Sequence, residues 1–142
     1  MPILGVNVVV IQDRKVLLTK RRDFEIWCLP GGEVDAGETL AQATVREARE
    51  EVALEVQLEW LVGIHSRPQW LSCGSHVVVF AAKIIGGELA IQQQEVLEAQ
   101  FSPLNNCRAK CSWDTTNKCL TRFVELEGRF GITKANGISS PV

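Results

Sequence analysis

The apolar and polar positions of this chain fall into blocks of different period. Residues 3–11 are almost continuously apolar and rich in Val and Ile, which predicts a strand buried on both faces. Gln12 to Lys15 are polar and predict a turn. Val16 to Lys20 are apolar again, so the two runs predict a hairpin. Arg21, Arg22 and Asp23 open a polar loop. From Glu38 the period becomes helical: at about 100° per residue, Leu40, Ala41, Val45, Ala48 and Val52 share one arc that should bury. Thr39 stands where an N-cap belongs. Leu54 to Gly63 predict a strand, and His76 to Lys83 a central one. Gly86 and Gly87 predict a turn, and Glu88 to Gln92 a returning strand. Leu120, Phe123, Val124 and Phe130 recur at helical spacing, predicting a second helix over 113–130. Residues 131–142, bearing Gly, Ser and Pro, predict a flexible tail. Strand pairs, a helix, more strands and a last helix suit an α+β three-layer α/β/α sandwich with a mixed sheet, one domain over residues 1–130.

Composition narrows the partners. The 142 residues can bury a core without staples. Apolar residues make up 46% and charged residues 23%, an ordinary globular mix. Net charge is −2 and no basic stripe is present, so a nucleic-acid backbone is not an expected partner. The apolar start is too brief to span a membrane and lacks a basic leader, so the expectations are no membrane partner and a cytoplasmic location. Five cysteines, an odd number, predict free thiols. Cys107, Cys111 and Cys119 match no zinc-ligand spacing.

The candidate chemistry lies between Gly31 and Leu54. A Gly-Gly pair, read as a turn, is followed by Glu38, then Arg46 and Glu47, then Glu50 and Glu51. On a helix, Glu47, Glu50 and Glu51 occupy an arc beside the apolar one. Like charges so placed repel by a few tenths of a kcal/mol per pair. They make sense if a cation fills the gap, and hard oxygen ligands suit Mg²⁺ or Mn²⁺. The bland alternative is a solvated face with Arg46–Glu50 as an i,i+4 pair. The register from Gly32 to Leu54, G-x5-E-x7-R-E-U-x-E-E-x-(G)-U, resembles the signature of the Nudix hydrolases, U being apolar. Ala53 replaces the Gly that usually ends the helix there. A left-handed Ala would cost about 1 kcal/mol.

The resemblance implies the same three-layer fold and a metal-dependent hydrolysis of a phosphoanhydride in a small nucleotide. The expected substrate is a nucleoside diphosphate linked to another group. A nucleoside triphosphate pyrophosphohydrolase is the alternative, and an idle nucleotide-binding module is the alternative of another class. Glu47, Glu50 and Glu51 would hold the cation, helped by a carbonyl of Gly31. Arg46 would orient them. Glu50 or Glu51 would take the proton from water. Glu95, in an acidic loop before Phe101, is the further candidate ligand or base, with Glu98 as second choice. Arg21, with Arg22 as the fallback, would lie near substrate phosphates. Pro68 resembles a marker of the ADP-ribose pyrophosphatase branch. Beside it Arg67 could meet a phosphate, and Trp70 could stack on a base or serve as a half-buried loop aromatic. His65 and His76 have no partner motif and read as structural. Members often pair, so a homodimer is among the expected states.

Overall fold

A computed structural model describes residues 1–111 and 114–130. Strands β1 (Ile3–Gln12), β2 (Lys15–Arg21), β3 (Trp27–Cys28) and β4 (Gly31–Glu33) precede helix α1 (Leu40–Val52). Strands β5 (Leu54–Arg67), β6 (Ser75–Gly87) and β7 (Val96–Pro103) follow, then α2 (Leu104–Lys110) and α3 (Asp114–Phe130). The sheet runs β3-β2-β1-β6-β5, with β4 also paired to β1 and β7 to β2. β1 and β6 are parallel. The other pairs are antiparallel, so the sheet is mixed as expected.

Strand alternation sorts the apolar side chains into two cores. Val8, Val10 and Leu17 pack with Ala48 and Val52 of α1. Val9, Val16 and Leu18 pack on the opposite face with Cys107 of α2 and Cys119, Leu120 and Phe123 of α3. The sheet is thus sandwiched between helices. β5 serves both cores because its register shifts between Leu58 and Trp60. Before that shift the even positions Leu54, Val56 and Leu58 face α1; after it Trp60 and Val62 face α3. One inserted residue in a strand turns over the side chains that follow it, here as far as the next shift between Leu61 and Gly63.

The structure corrects several expectations. The Gly31–Gly32 pair is not a turn but part of β4, with Gly31 opposite Asn7 and Gly32 opposite Val6 of β1. Glu88 to Gln92 form no strand. They run past the end of α1, where the Ala90 and Gln92 N–H groups donate to the carbonyls of Val52 and Glu51 at 3.1 and 3.0 Å. Helix-end carbonyls lack intrahelical donors, and this segment supplies them. β5 continues past Gly63 to Arg67, so His65 and Ser66 are strand residues; the Ser66 hydroxyl lies 2.9 Å from His76 Nδ1. Short α2 carried no periodicity long enough to read. Val124 is exposed, while Leu120 and Phe123 are buried. Trp113 and the expected tail over 131–142 lie outside the described residues.

Candidate active site

Helix α1 starts on a reciprocal cap. Thr39 Oγ1 accepts from the Gln42 N–H at 3.1 Å, and Gln42 Oε1 accepts from the Thr39 N–H at 2.9 Å. The helix ends on Ala53 at φ 58°, ψ 25°, where glycine would be unstrained. The Ala53 N–H donates to the Ala48 and Arg49 carbonyls, so the helix-closing geometry is kept despite its cost. The buried stripe is rotated from the apolar arc read in the sequence. Ala41 is exposed, whereas Ala43, Thr44, Glu47, Ala48, Glu51 and Val52 are buried.

That rotation presses two carboxylates against the glycine strand. A Cβ on Gly32 would collide with the Glu47 carboxyl, and one on Gly31 would meet the Val6 carbonyl and Asn7. The Gly31 N–H instead donates to Glu51 Oε2 at 3.1 Å. The pair is therefore required for close approach of backbone to carboxylate. Glu47, Glu51 and Glu95 each bring an oxygen within 4.8 Å of the other two. Burial, opposed by the Gly31 N–H and reinforced by the charges of Glu47 and Glu95, pushes the Glu51 carboxyl up to about 8. Burial also raises Glu47, against the pull of Arg46.

Arg46 is the hub beside this group. Its guanidinium donates to both Glu38 oxygens at 2.6 and 3.0 Å, to Glu47 Oε1 at 2.9 Å and to Glu50 Oε2 at 3.1 Å. It also donates to the Glu33 carbonyl at 3.0 Å. Its hydrogen bonds hold Glu38 below the usual carboxylate range, with help from the Asp35 N–H. Glu50 is exposed on the arc and lies outside the cluster of three. Helix spacing alone grouped Glu50 with Glu47 and Glu51. The folded chain puts Glu95 in that place, from a loop distant in sequence. Glu98, the second choice, is instead 3.8 Å from Lys20 on β2.

Gly31, Arg46, Glu47, Glu50, Glu51 and Glu95 line one cleft of about 870 Å³, together with Arg21, Phe24, Arg67, Trp70 and Leu71. Arg21 is held by Asp23 through a two-pronged contact of 2.9 and 2.6 Å. The Arg67 guanidinium stacks 3.6 Å from the Trp70 ring centroid, and Phe24 meets Trp70 edge-on at 6.1 Å. The ends of β2 and β5 and the loops after them thereby bring aromatic and cationic groups into the same cleft as the carboxylates. Sequence reasoning did not find Phe24, Asp23 or Gln94 in this cleft. A lone Phe in a polar loop was the available signal for the first. Arg22, the fallback phosphate contact, donates through Nε to the Gln93 carbonyl at 2.8 Å.

The cleft can hold a small cation on oxygen ligands together with a planar or phosphorylated group. The chain matches the NUDIX domain family over residues 1–123, and it belongs to the Nudix family. An ADP-ribose pyrophosphatase of Methanocaldococcus jannaschii is 39% identical over 110 residues, covering 74% of this chain and 64% of that protein. The 8-oxo-dGDP phosphatase NUDT18 of Homo sapiens is 34% identical over 98 residues, covering 65% of this chain and 29% of that protein. The chain thus spans less than two-thirds of these relatives. A crystal structure of a NUDIX hydrolase from Nitrosomonas europaea superposes with a TM-score of 0.79 at 25% identity, covering 90% of this chain and 73% of that one. Among the described residues, no helix is long and apolar enough to cross a membrane.

Proposed function

We propose that this chain hydrolyses a phosphoanhydride bond in a nucleoside diphosphate linked to another group, of the ADP-ribose kind. The observation that carries the reading is the convergence of Glu47, Glu51 and Glu95 in an open cleft. Three carboxylates held this close, two of them buried, are costly without a cation. Their all-oxygen donor set fits Mg²⁺ or Mn²⁺. The bound ion would neutralise pyrophosphate charge and make a coordinated water more acidic.

The chain's own residues divide the remaining work. Glu47, Glu51 and Glu95 hold the ion, with Gly31 at their side. Arg46 fixes Glu47 and Glu50 relative to the glycine strand. Glu50 faces the cleft without belonging to the cluster, and takes the proton of the attacking water. Arg21 and Arg67 line the same cleft, where phosphate oxygens would need cations. Trp70 offers a flat face for the nucleoside. The relative named as an ADP-ribose pyrophosphatase, together with Pro68 in the loop after β5, supports this substrate class.

A product analysis tests the reading. Purified protein with Mg²⁺ or Mn²⁺ is incubated with ADP-ribose, UDP-sugars and nucleoside triphosphates. AMP and ribose 5-phosphate from ADP-ribose are the expected products. Pyrophosphate from a triphosphate would instead make the chain a triphosphate pyrophosphohydrolase. Tight nucleotide binding with no turnover would make it an idle binding module.

A further inference from the structure

Glu95 is the one member of the carboxylate cluster that does not stand on a helix. It is an exposed residue of the loop between β6 and β7, and loops of this kind are usually mobile. Here the loop is tied at three places. On one side, the Ala90 and Gln92 N–H groups bond to the carbonyls of Val52 and Glu51. Within the loop, Gln92 Oε1 accepts from the Gln94 N–H at 2.6 Å and the Glu95 N–H at 3.2 Å. On the other side stands Arg22, just past the end of β2. Its backbone N–H donates to the Glu95 carbonyl at 3.0 Å, and its Nε donates to the Gln93 carbonyl at 2.8 Å. β2 and β7 shift register at this place, between Lys20 and Arg21. Beyond that shift the backbone bond from Arg22 to Glu95 resumes the pairing, and the Arg22 side chain extends the hold to Gln93.

We infer that Arg22 is a positioning residue for the metal site: it clamps the 93–95 backbone so that Glu95 stands beside Glu47 and Glu51 before any ion arrives. The inference rests on the reading of that cluster as a cation site. Arg22 differs in this from its neighbour Arg21, whose guanidinium grips Asp23. It also gives Arg22 a task other than meeting substrate phosphate. A carboxylate that must be found by an ion in a wandering loop binds weakly. One held in place adds its full share, and outer partners of metal ligands typically control about tenfold or more in affinity.

The test is Mn²⁺ binding to metal-free protein, read by electron paramagnetic resonance of the free ion, with no substrate present. Arg22→Ala is expected to weaken Mn²⁺ by about tenfold. Arg22→Met keeps the stem without the donor and should do the same. Arg22→Lys, which retains a cationic donor, should recover part of the loss. In a Glu95→Gln background, Arg22→Ala should change Mn²⁺ affinity no further, because the clamp acts only through Glu95. Unchanged affinity in Arg22→Ala and Arg22→Met, or losses that add to that of Glu95→Gln, would overturn the inference. Glu47→Gln and Glu51→Gln separate the two levels. If these also leave Mn²⁺ binding intact, the cation site itself fails, and the role of Arg22 with it. If they abolish binding while the Arg22 variants do not alter it, only the clamp fails.

Discussion

The two faces of the sheet bury titratable groups to opposite effect. Under α3 lie Cys107, Cys111 and Cys119 among Leu120 and Phe123. Burial pushes Cys111 and Cys119 up to about 12, and does the same to Cys28 at the edge of the cleft. A thiol is neutral at ordinary pH, so this raises no cost: the side chains act as small apolar groups. On the α1 face burial raises Glu47 and Glu51, groups that an ordinary solution would ionise. There the fold works against the charge it encloses. Packing alone would not select carboxylates for such positions, whereas a cation-binding cleft would.

The largest expected effect on this contrast is Glu51→Gln. It should lower turnover by a hundredfold or more, on the order of 10²–10⁴ as for other groups acting directly in a reaction. Its shape and its acceptor for the Gly31 N–H are kept, so metal-free melting at pH 8 should not fall. Equal losses of melting temperature and turnover would erase the difference between the faces. Next is Phe123→Ala, on the other face. Removing this buried ring, stacked on Trp60 at 5.4 Å, should cost about 3–5 kcal/mol in denaturant unfolding. Mn²⁺ affinity of the fraction that remains folded should not change.

The pH dependence of stability is the third. Folded Glu51 titrates at about 8, and an unfolded Glu at about 4.3. Between these values the folded chain keeps a proton the unfolded chain has lost. The contribution is therefore whole below the lower value and declines as pH rises through 8, by at most about 1.4 kcal/mol per unit. Glu47, also raised, acts in the same direction. Metal-free melting should fall from pH 5 to pH 8, and Glu51→Gln should flatten the slope. Mg²⁺ should oppose the fall by binding the ionised cluster. The smallest effect is Ala53→Gly, which relieves the left-handed cap and should stabilise the fold by about 1 kcal/mol. A loss of stability would mean that this helix end is not under strain.

Much of this was legible along the chain because it depends on local period. The alternation of Val8, Val9 and Val10 dictates a strand buried on both faces whatever its neighbours. Thr39 announces the helix start, and the Glu47–Glu51 spacing puts both carboxylates on one side. What failed to show were events made by partners far away. The flip of β5 at Leu58–Trp60 leaves no mark on composition. The 88–92 segment looks like a strand by its residues, yet the helix carbonyls it satisfies are remote in sequence. Glu50 and Glu51 are adjacent and chemically alike. Only the glycine strand, approaching from one direction, buries the second and leaves the first exposed.

By itself, then, the order of residues determined the fold class, the family register and which helix would carry the acids, since periods of two and 3.6 residues are properties of the chain. Tertiary structure decided which acids meet. Helix geometry brings Glu47 and Glu51 to one side, but Glu95 joins them only because the loop bearing it is pinned between the end of α1 and Arg22. An oxygen cluster about a point in space depends on distances through the fold, and those are set by packing rather than by sequence spacing.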